Sequence, residues 1–169
     1  MDFTQAIKTC LVEKYACFTG RARRSEFWYF SLFSFVASLI VTGLAVIPII
    51  GSIINIVFCF GIIIPSLSVT TRRLHDTGRS GWHIVISYVI VVIAIILLYS
   101  GVGSENIINP ERADYATMNI PLLIVGFILY LIAIIYGIVI FVFELMDSNP
   151  GENKYGPNPK GDSLDSSDY

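Results

Sequence analysis

The residues best suited to chemistry are six arginines in two short runs. Arg21, Arg23 and Arg24 lie in Gly20-Arg-Ala-Arg-Arg-Ser-Glu26, and Arg72, Arg73 and Arg79 lie in Arg72-Arg-Leu-His-Asp-Thr-Gly-Arg-Ser-Gly-Trp82. A guanidinium presents a planar fork of donors that matches the oxygens of a phosphate or carboxylate, so both runs point to binding of anions or lipid headgroups. Glu26 and Asp76 offset part of this charge, and Asp76, Gly78 and Gly81 bring turn chemistry. Glu26, His75, Asp76, Gly78, Gly81 and Trp82 are therefore read as a loop supporting the arginines. A plainer reading has the first run, Arg21, Arg23 and Arg24, fixing only membrane orientation. Acid–base catalysis by His75 and Asp76 is the weaker reading, because no nucleophile or metal set accompanies them. His75 and His83 stand eight apart without clustered cysteines or carboxylates. No metal, cofactor or catalytic residue is expected.

What must position these arginines is a membrane. Of 169 residues 54% are hydrophobic and 14% charged, against roughly 25% charged in a soluble domain. The charges fall into four blocks, and the stretches Phe27–Thr71, Gly81–Ser104 (with His83 at its start) and Tyr115–Phe143 between them carry no Asp, Glu, Lys or Arg. About 20 apolar residues span a hydrocarbon core of about 30 Å. The second and third stretches supply one helix each. The first, as one helix at about 1.5 Å per residue, would be roughly twice too long. It folds back near Pro48, Gly51 and Ser52, residues that interrupt helices and make turns. The expected fold is all-α, a polytopic membrane protein with helices at about 27–47, 52–70, 83–102 and 121–143. Residues 1–26 form an N-terminal segment, 27–143 the membrane domain and 144–169 a tail.

No cleavable signal peptide is visible in the first 26 residues, where charges of both signs are mixed. Ten lysines and arginines fall on one side of the four spans and one, Arg112, on the other. Both termini are therefore expected in the cytoplasm. Reduced thiols are expected for Cys10 and Cys17 on that side, and Cys59 reads as a packing residue. Phe3, Ile7, Leu11 and Tyr15 follow a four-residue spacing that forms one helical stripe. It suits a helix lying on the membrane surface or one packed on the neighbouring loops. Asn55 and Pro65 lie within the second span, as an interhelical hydrogen bond and a kink, or as parts of a transport pathway, would require. No Asp, Glu, Lys or Arg lies inside a span, which argues against ion coupling. Ser34 with Ser38, and Ala133 with Gly137, would let helices approach closely. The Gly103–Ile120 connector reads as solvated. The tail is dense in Pro, Gly and Asn, and its acidic end beyond Lys160 reads as disordered.

The motifs carry a resemblance. Lys14-Tyr15 with Phe18, the segment Gly20–Trp28, the segment Arg72–Trp82 and the tail Gly151–Pro159 occur in that order. In these the chain resembles the bacterial inner-membrane family known as domain of unknown function 805, the YhaH-like proteins. It departs from the family's usual Arg-x-Ser-Arg at Arg21-Ala-Arg-Arg24. The resemblance implies a small multi-pass protein of the bacterial plasma (inner) membrane and supplies no activity. The expectation is a non-enzymatic protein whose arginine-rich cytoplasmic face binds anionic lipid headgroups or a protein partner, with a small transporter or channel subunit as the alternative. The expected partners are membrane lipid and a second copy or another membrane protein, with no nucleic acid.

Overall fold

A computed structural model describes residues 1–47, 49–112 and 114–161. Pro48, assigned above to the first turn, and the acidic residues 162–169 lie outside them. The described residues form six α-helices: α1 Phe3–Lys8, α2 Arg24–Gly43, α3 Ile50–Asp76, α4 Trp82–Val102, α5 Ser104–Ile108 and α6 Ile120–Leu145. Four of them, α2, α3, α4 and α6, are long and apolar enough to cross a membrane. Large apolar side chains along all four, among them Phe35, Phe60, Ile96 and Ile135, are exposed. Such surfaces belong in lipid, where no hydrophobic penalty attaches to them. The chain divides into two compact units, Met1–Gly81 with Phe143–Tyr169, and Trp82–Val142.

In the first unit, the Asp2 carboxylate caps α1 by accepting from the Gln5 N–H at 2.7 Å. The helix then widens into a π-helical turn over Thr9–Glu13. Its buried face is Ala6, Thr9 and Cys10, while Phe3 and Val12 stay exposed and Ile7 and Leu11 are half-buried. The segment therefore packs on the protein through small residues, with the expected stripe at the margin of the contact: Leu11 lies against the core and Phe3 is exposed. Cys10 joins Ala22, Phe27, Phe30 and Val69 in a small core, so the N-terminal segment, α2 and α3 share their apolar packing.

Two boundaries differ from the sequence expectation. Helix α2 ends at Gly43 and passes through a 3₁₀ turn at Leu44–Val46, and α3 begins at Ile50, so Gly51 lies in its first turn rather than in the connection. At its other end α3 continues through Arg72–Asp76, which was expected to be loop. The physical reason is neutralisation: the two arginines and Asp76 are buried with partners, so charge does not end the helix where the lipid ends.

Pro65 lies inside α3 and is buried. A proline has no N–H, so the Gly61 carbonyl one turn earlier loses its helical donor. The Tyr15 hydroxyl donates to that carbonyl at 2.8 Å. Three residues further on, Ser68 Oγ lies 3.0 Å from the Lys14 carbonyl and 2.7 Å from that of Cys17, and its one proton serves either. The break in the ladder is thus repaired by the N-terminal segment, as a membrane helix requires. Asn55 donates its amide to the Val41 carbonyl at 3.3 Å, joining α3 to α2.

In the second unit, α4 and α6 meet at glycines: a Cβ on Gly101 would fall 2.8 Å from the Leu123 side chain, and one on Gly126 would fall 3.0 Å from Leu98. Around Gly137 there is open space, so the expected small-residue pair at Ala133 and Gly137 is not the closest approach within this unit. The His83 ring nitrogen Nδ1 lies 2.6 Å from the Tyr136 hydroxyl. The described residues of the connector gather around the buried Asn106. Its amide donates to the Val102 carbonyl (2.8 Å) and the Thr117 hydroxyl (3.0 Å), and its oxygen accepts the Asp114 N–H (2.9 Å).

Candidate functional site

The two arginine runs meet in the first unit, at the end of α3. The segment entering α2 brings Arg21, and the Ala22 N–H donates to the Arg72 carbonyl at 3.0 Å. That single backbone bond sets the two runs side by side. Arg21 is almost fully buried. Its Nε donates to Asp76 Oδ1 at 2.9 Å, and its terminal nitrogens donate to the carbonyls of Asn149 (2.7 Å) and Gly151 (2.8 Å). One guanidinium therefore ties the entry to α2, the end of α3 and the tail.

Arg73 repeats this on the other side of Asp76. Its Nη1 donates to Asp76 Oδ2 at 2.5 Å, its Nε to the Glu144 carbonyl at 3.0 Å, and its Nη2 to the Met146 carbonyl. It thus satisfies carbonyls at the end of α6, which a helix leaves without internal donors. Asp76, wholly buried, also accepts from the Ser148 hydroxyl. Arg72 pairs with Glu26, both buried. The Nε and Nη2 of Arg72 have no acceptor among the described residues. The Cys10 thiol lies 3.9 Å from Glu26 Oε1. Burial and then the Glu26 carboxylate push that thiol up to about 11, against the opposing pull of the Arg72 guanidinium. Cys17, near the surface, is held below its ordinary value, chiefly by its hydrogen bonds at Thr19.

Of the residues expected to support the arginines, His75 uses Nδ1 on the Gly20 carbonyl at 3.1 Å, which assigns the proton to that nitrogen. Its ring stacks on Tyr155 with centroids 3.7 Å apart and planes 4° from parallel. Its carbonyl accepts the Asn153 amide at 3.0 Å. Gly78 has φ +77°, and a Cβ there would fall 2.4 Å from the Asn149 amide nitrogen; at Gly81 it would fall 2.5 Å from the Thr71 methyl. Both positions exclude a side chain so that the tail and α3 can close on the turn. Trp82 is exposed at the start of α4, the position of a headgroup-level ring.

The six arginines therefore separate. Arg21, Arg72 and Arg73 are buried with two carboxylates between them, Glu26 and Asp76. Arg79 lies over the Phe143 ring at 3.7 Å and donates to the Thr77 carbonyl. Arg24 is half-exposed, 3.7 Å from the exposed Asp147, which Lys160 also approaches at 2.6 Å. Arg23 donates its Nε to the Pro159 carbonyl and has no carboxylate partner among the described residues; nor does Lys14. Beside them is an open cavity of about 280 Å³. The tail residues Asn149, Gly151, Asn153 and Tyr155 were not singled out from sequence as site residues. The run Gly151–Pro159 carried a signal for them only through its place in the family motif.

Comparison with known proteins agrees with the motifs. The family model described as "Protein of unknown function (DUF805)" matches residues 15–157. The chain is 28% identical over 155 residues to Inner membrane protein YhaH of Escherichia coli K12, covering 89% of this chain and 93% of that protein. It is 34% identical over 74 residues to Inner membrane protein YhaI of the same organism, covering 42% of this chain and 61% of that one. No solved structure gives a significant match.

Proposed function

We infer that this chain, which belongs to the DUF805 family and is a multi-pass inner-membrane protein, is a non-enzymatic protein whose arginine-bearing end faces the cytoplasm and recognises anionic lipid headgroups. The carrying observation is that two basic side chains of this end, Arg23 and Lys14, are left without a carboxylate once the ion pairs among the described residues are made. The three buried arginines, by contrast, are matched by Glu26 and Asp76, with the buried Glu144 carboxyl near Arg73. Basic groups beside a membrane helix attract an anionic leaflet, at about 1 kcal/mol each near the surface. The exposed apolar residues Phe3, Val12 and Phe18 give the same end a surface suited to the headgroup boundary.

The non-enzymatic reading is supported by how His75 and Asp76 are used: one ring is stacked and bonded to a backbone carbonyl, the other carboxylate is filled by three side chains. Asn55 and the Pro65 gap are occupied by Val41 and Tyr15, and no observation favours transport over this reading. The cytoplasmic placement of both termini rests on the lysine and arginine count. Reporter fusions at each terminus and at residue 105 test it; a terminal fusion active in the periplasm overturns it.

The test of headgroup recognition is binding of the full-length protein in nanodiscs of phosphatidylglycerol against phosphatidylcholine, followed by native mass spectrometry of released complexes. Phosphatidylglycerol is expected to be retained preferentially, and more so at low salt. Equal retention of both lipids at all salt concentrations overturns the reading.

A further inference from the structure

An open cavity lies beside Arg23 at the arginine-bearing end of the first unit. Gln5, Lys14, Arg21, Arg23, Glu26 and Pro159 line it. Two of these charges are already used: Arg21 is paired with Asp76, and Glu26 with Arg72. Lys14 and Arg23 are not paired with a carboxylate, so the cavity carries uncompensated positive charge from two side chains on different segments. Arg23 has one acceptor among the described residues, the Pro159 carbonyl on its Nε. Its Nη1 and Nη2 have no acceptor among the described residues, and a phosphate taken by the fork of Nε and one Nη competes with that carbonyl for Nε.

We propose that this cavity is a binding site for one phosphate group, held by Lys14 and Arg23, and that the phosphate displaces the Pro159 carbonyl from Arg23. A carbonyl is a neutral acceptor, whereas a phosphate oxygen is charged and makes roughly twice as strong a bond to a guanidinium. The tail is fastened in two parts of unequal strength. Residues 149–156 are held by buried groups: Arg21 on the Asn149 and Gly151 carbonyls, and Tyr155 against His75. Residues 157–161 are held by Arg23 on Pro159 and by the exposed pair of Lys160 with Asp147. An occupied site therefore loosens the second part and leaves the first in place. The phosphate is that of a lipid headgroup or a free phosphate, since the same two cations would hold either.

The proposal rests on the headgroup reading only for its lipid source, and the test separates the two. Full-length protein is stripped of lipid in a phosphate-free sugar detergent and offered either phosphatidylglycerol or inorganic phosphate in that detergent. Binding is read by native mass spectrometry, and hydrogen exchange is read over residues 157–161 and 149–156. The expected result is one phosphate-bearing molecule per chain, faster exchange over 157–161 and unchanged exchange over 149–156. Lys14→Gln and Arg23→Gln should each weaken binding about tenfold, or about 1.4 kcal/mol, while Arg24→Gln on the same face leaves it nearly unchanged. Lys14 is exposed, so its variant reports on the site even if Arg23→Gln disturbs packing. Equal weakening by all three variants overturns the discrete site and leaves general headgroup attraction standing. Binding undisturbed by Lys14→Gln and Arg23→Gln also overturns it. Uptake of inorganic phosphate with no preference for phosphatidylglycerol keeps the site and overturns the lipid reading.

Discussion

The buried polar cluster of the first unit and the Asn106 cluster of the second both satisfy backbone carbonyls near helix ends, and they do so by opposite means. Arg21 reaches from its own segment to Asp76, 55 residues away, and to Gly151, 130 residues away. Asn106 reaches Val102, Asp114 and Thr117, at most 11 residues away. The first is charged and joins distant parts of the chain; the second is neutral and local. A local amide fixes the shape of one connector, whereas a buried guanidinium makes the N-terminal segment, α3 and the tail depend on one another. Removing one partner from the charged cluster leaves an uncompensated charge out of water, which costs more than an unsatisfied amide.

The largest effect should follow Asp76→Ala, which strips Arg21, Arg73 and Ser148 of their shared acceptor. A loss of about 3–5 kcal/mol is expected, as for other broken buried pairs. It is read as a fall in the thermal unfolding midpoint in detergent, together with new protease cleavage in residues 147–160. Asn106→Ala should cost about 1–3 kcal/mol, the penalty of unsatisfied buried groups. It should leave tail cleavage unchanged. If Asp76→Ala costs no more than Asn106→Ala, or if Asn106→Ala also exposes the tail, the contrast between the two clusters is broken.

The same contrast explains what could be read from sequence. The four spans were legible because apolar length is a property of consecutive residues: Trp82–Val102 is apolar almost throughout and lies within a residue of its expected bounds. The end of α3 was not. Arg72–Asp76 looks like a charged loop until Glu26, Arg21 and the tail carbonyls are known to neutralise it, and those partners lie far along the chain. That the arginines need acceptors, and that Glu26 and Asp76 offset part of their charge, was legible from their types and spacing. Which arginine takes which carboxylate, and that tail carbonyls occupy the rest of Arg21 and Arg73, was not, because those groups come together only in the fold. Asn55 was legible as a helix-to-helix donor, while its Val41 partner was not.

The smallest effect concerns Tyr15, which unlike Arg21 joins distant segments without charge. Tyr15→Phe removes only the hydroxyl that serves the Gly61 carbonyl, and a net loss of about 1 kcal/mol is expected. A contact between α3 and the N-terminal segment could be lost for many reasons, so the single change says little about the mechanism. Pro65→Ala supplies the missing control. It restores an N–H one turn after Gly61, and that donor fills the carbonyl from within α3. In the Pro65→Ala background Tyr15→Phe should then cost close to nothing, giving a coupling of about 1 kcal/mol in a double-mutant cycle of unfolding midpoints. Additive losses would mean that the hydroxyl does not compensate for the proline. The long-range neutral bond would then be packing alone, and long reach would matter only where charge accompanies it.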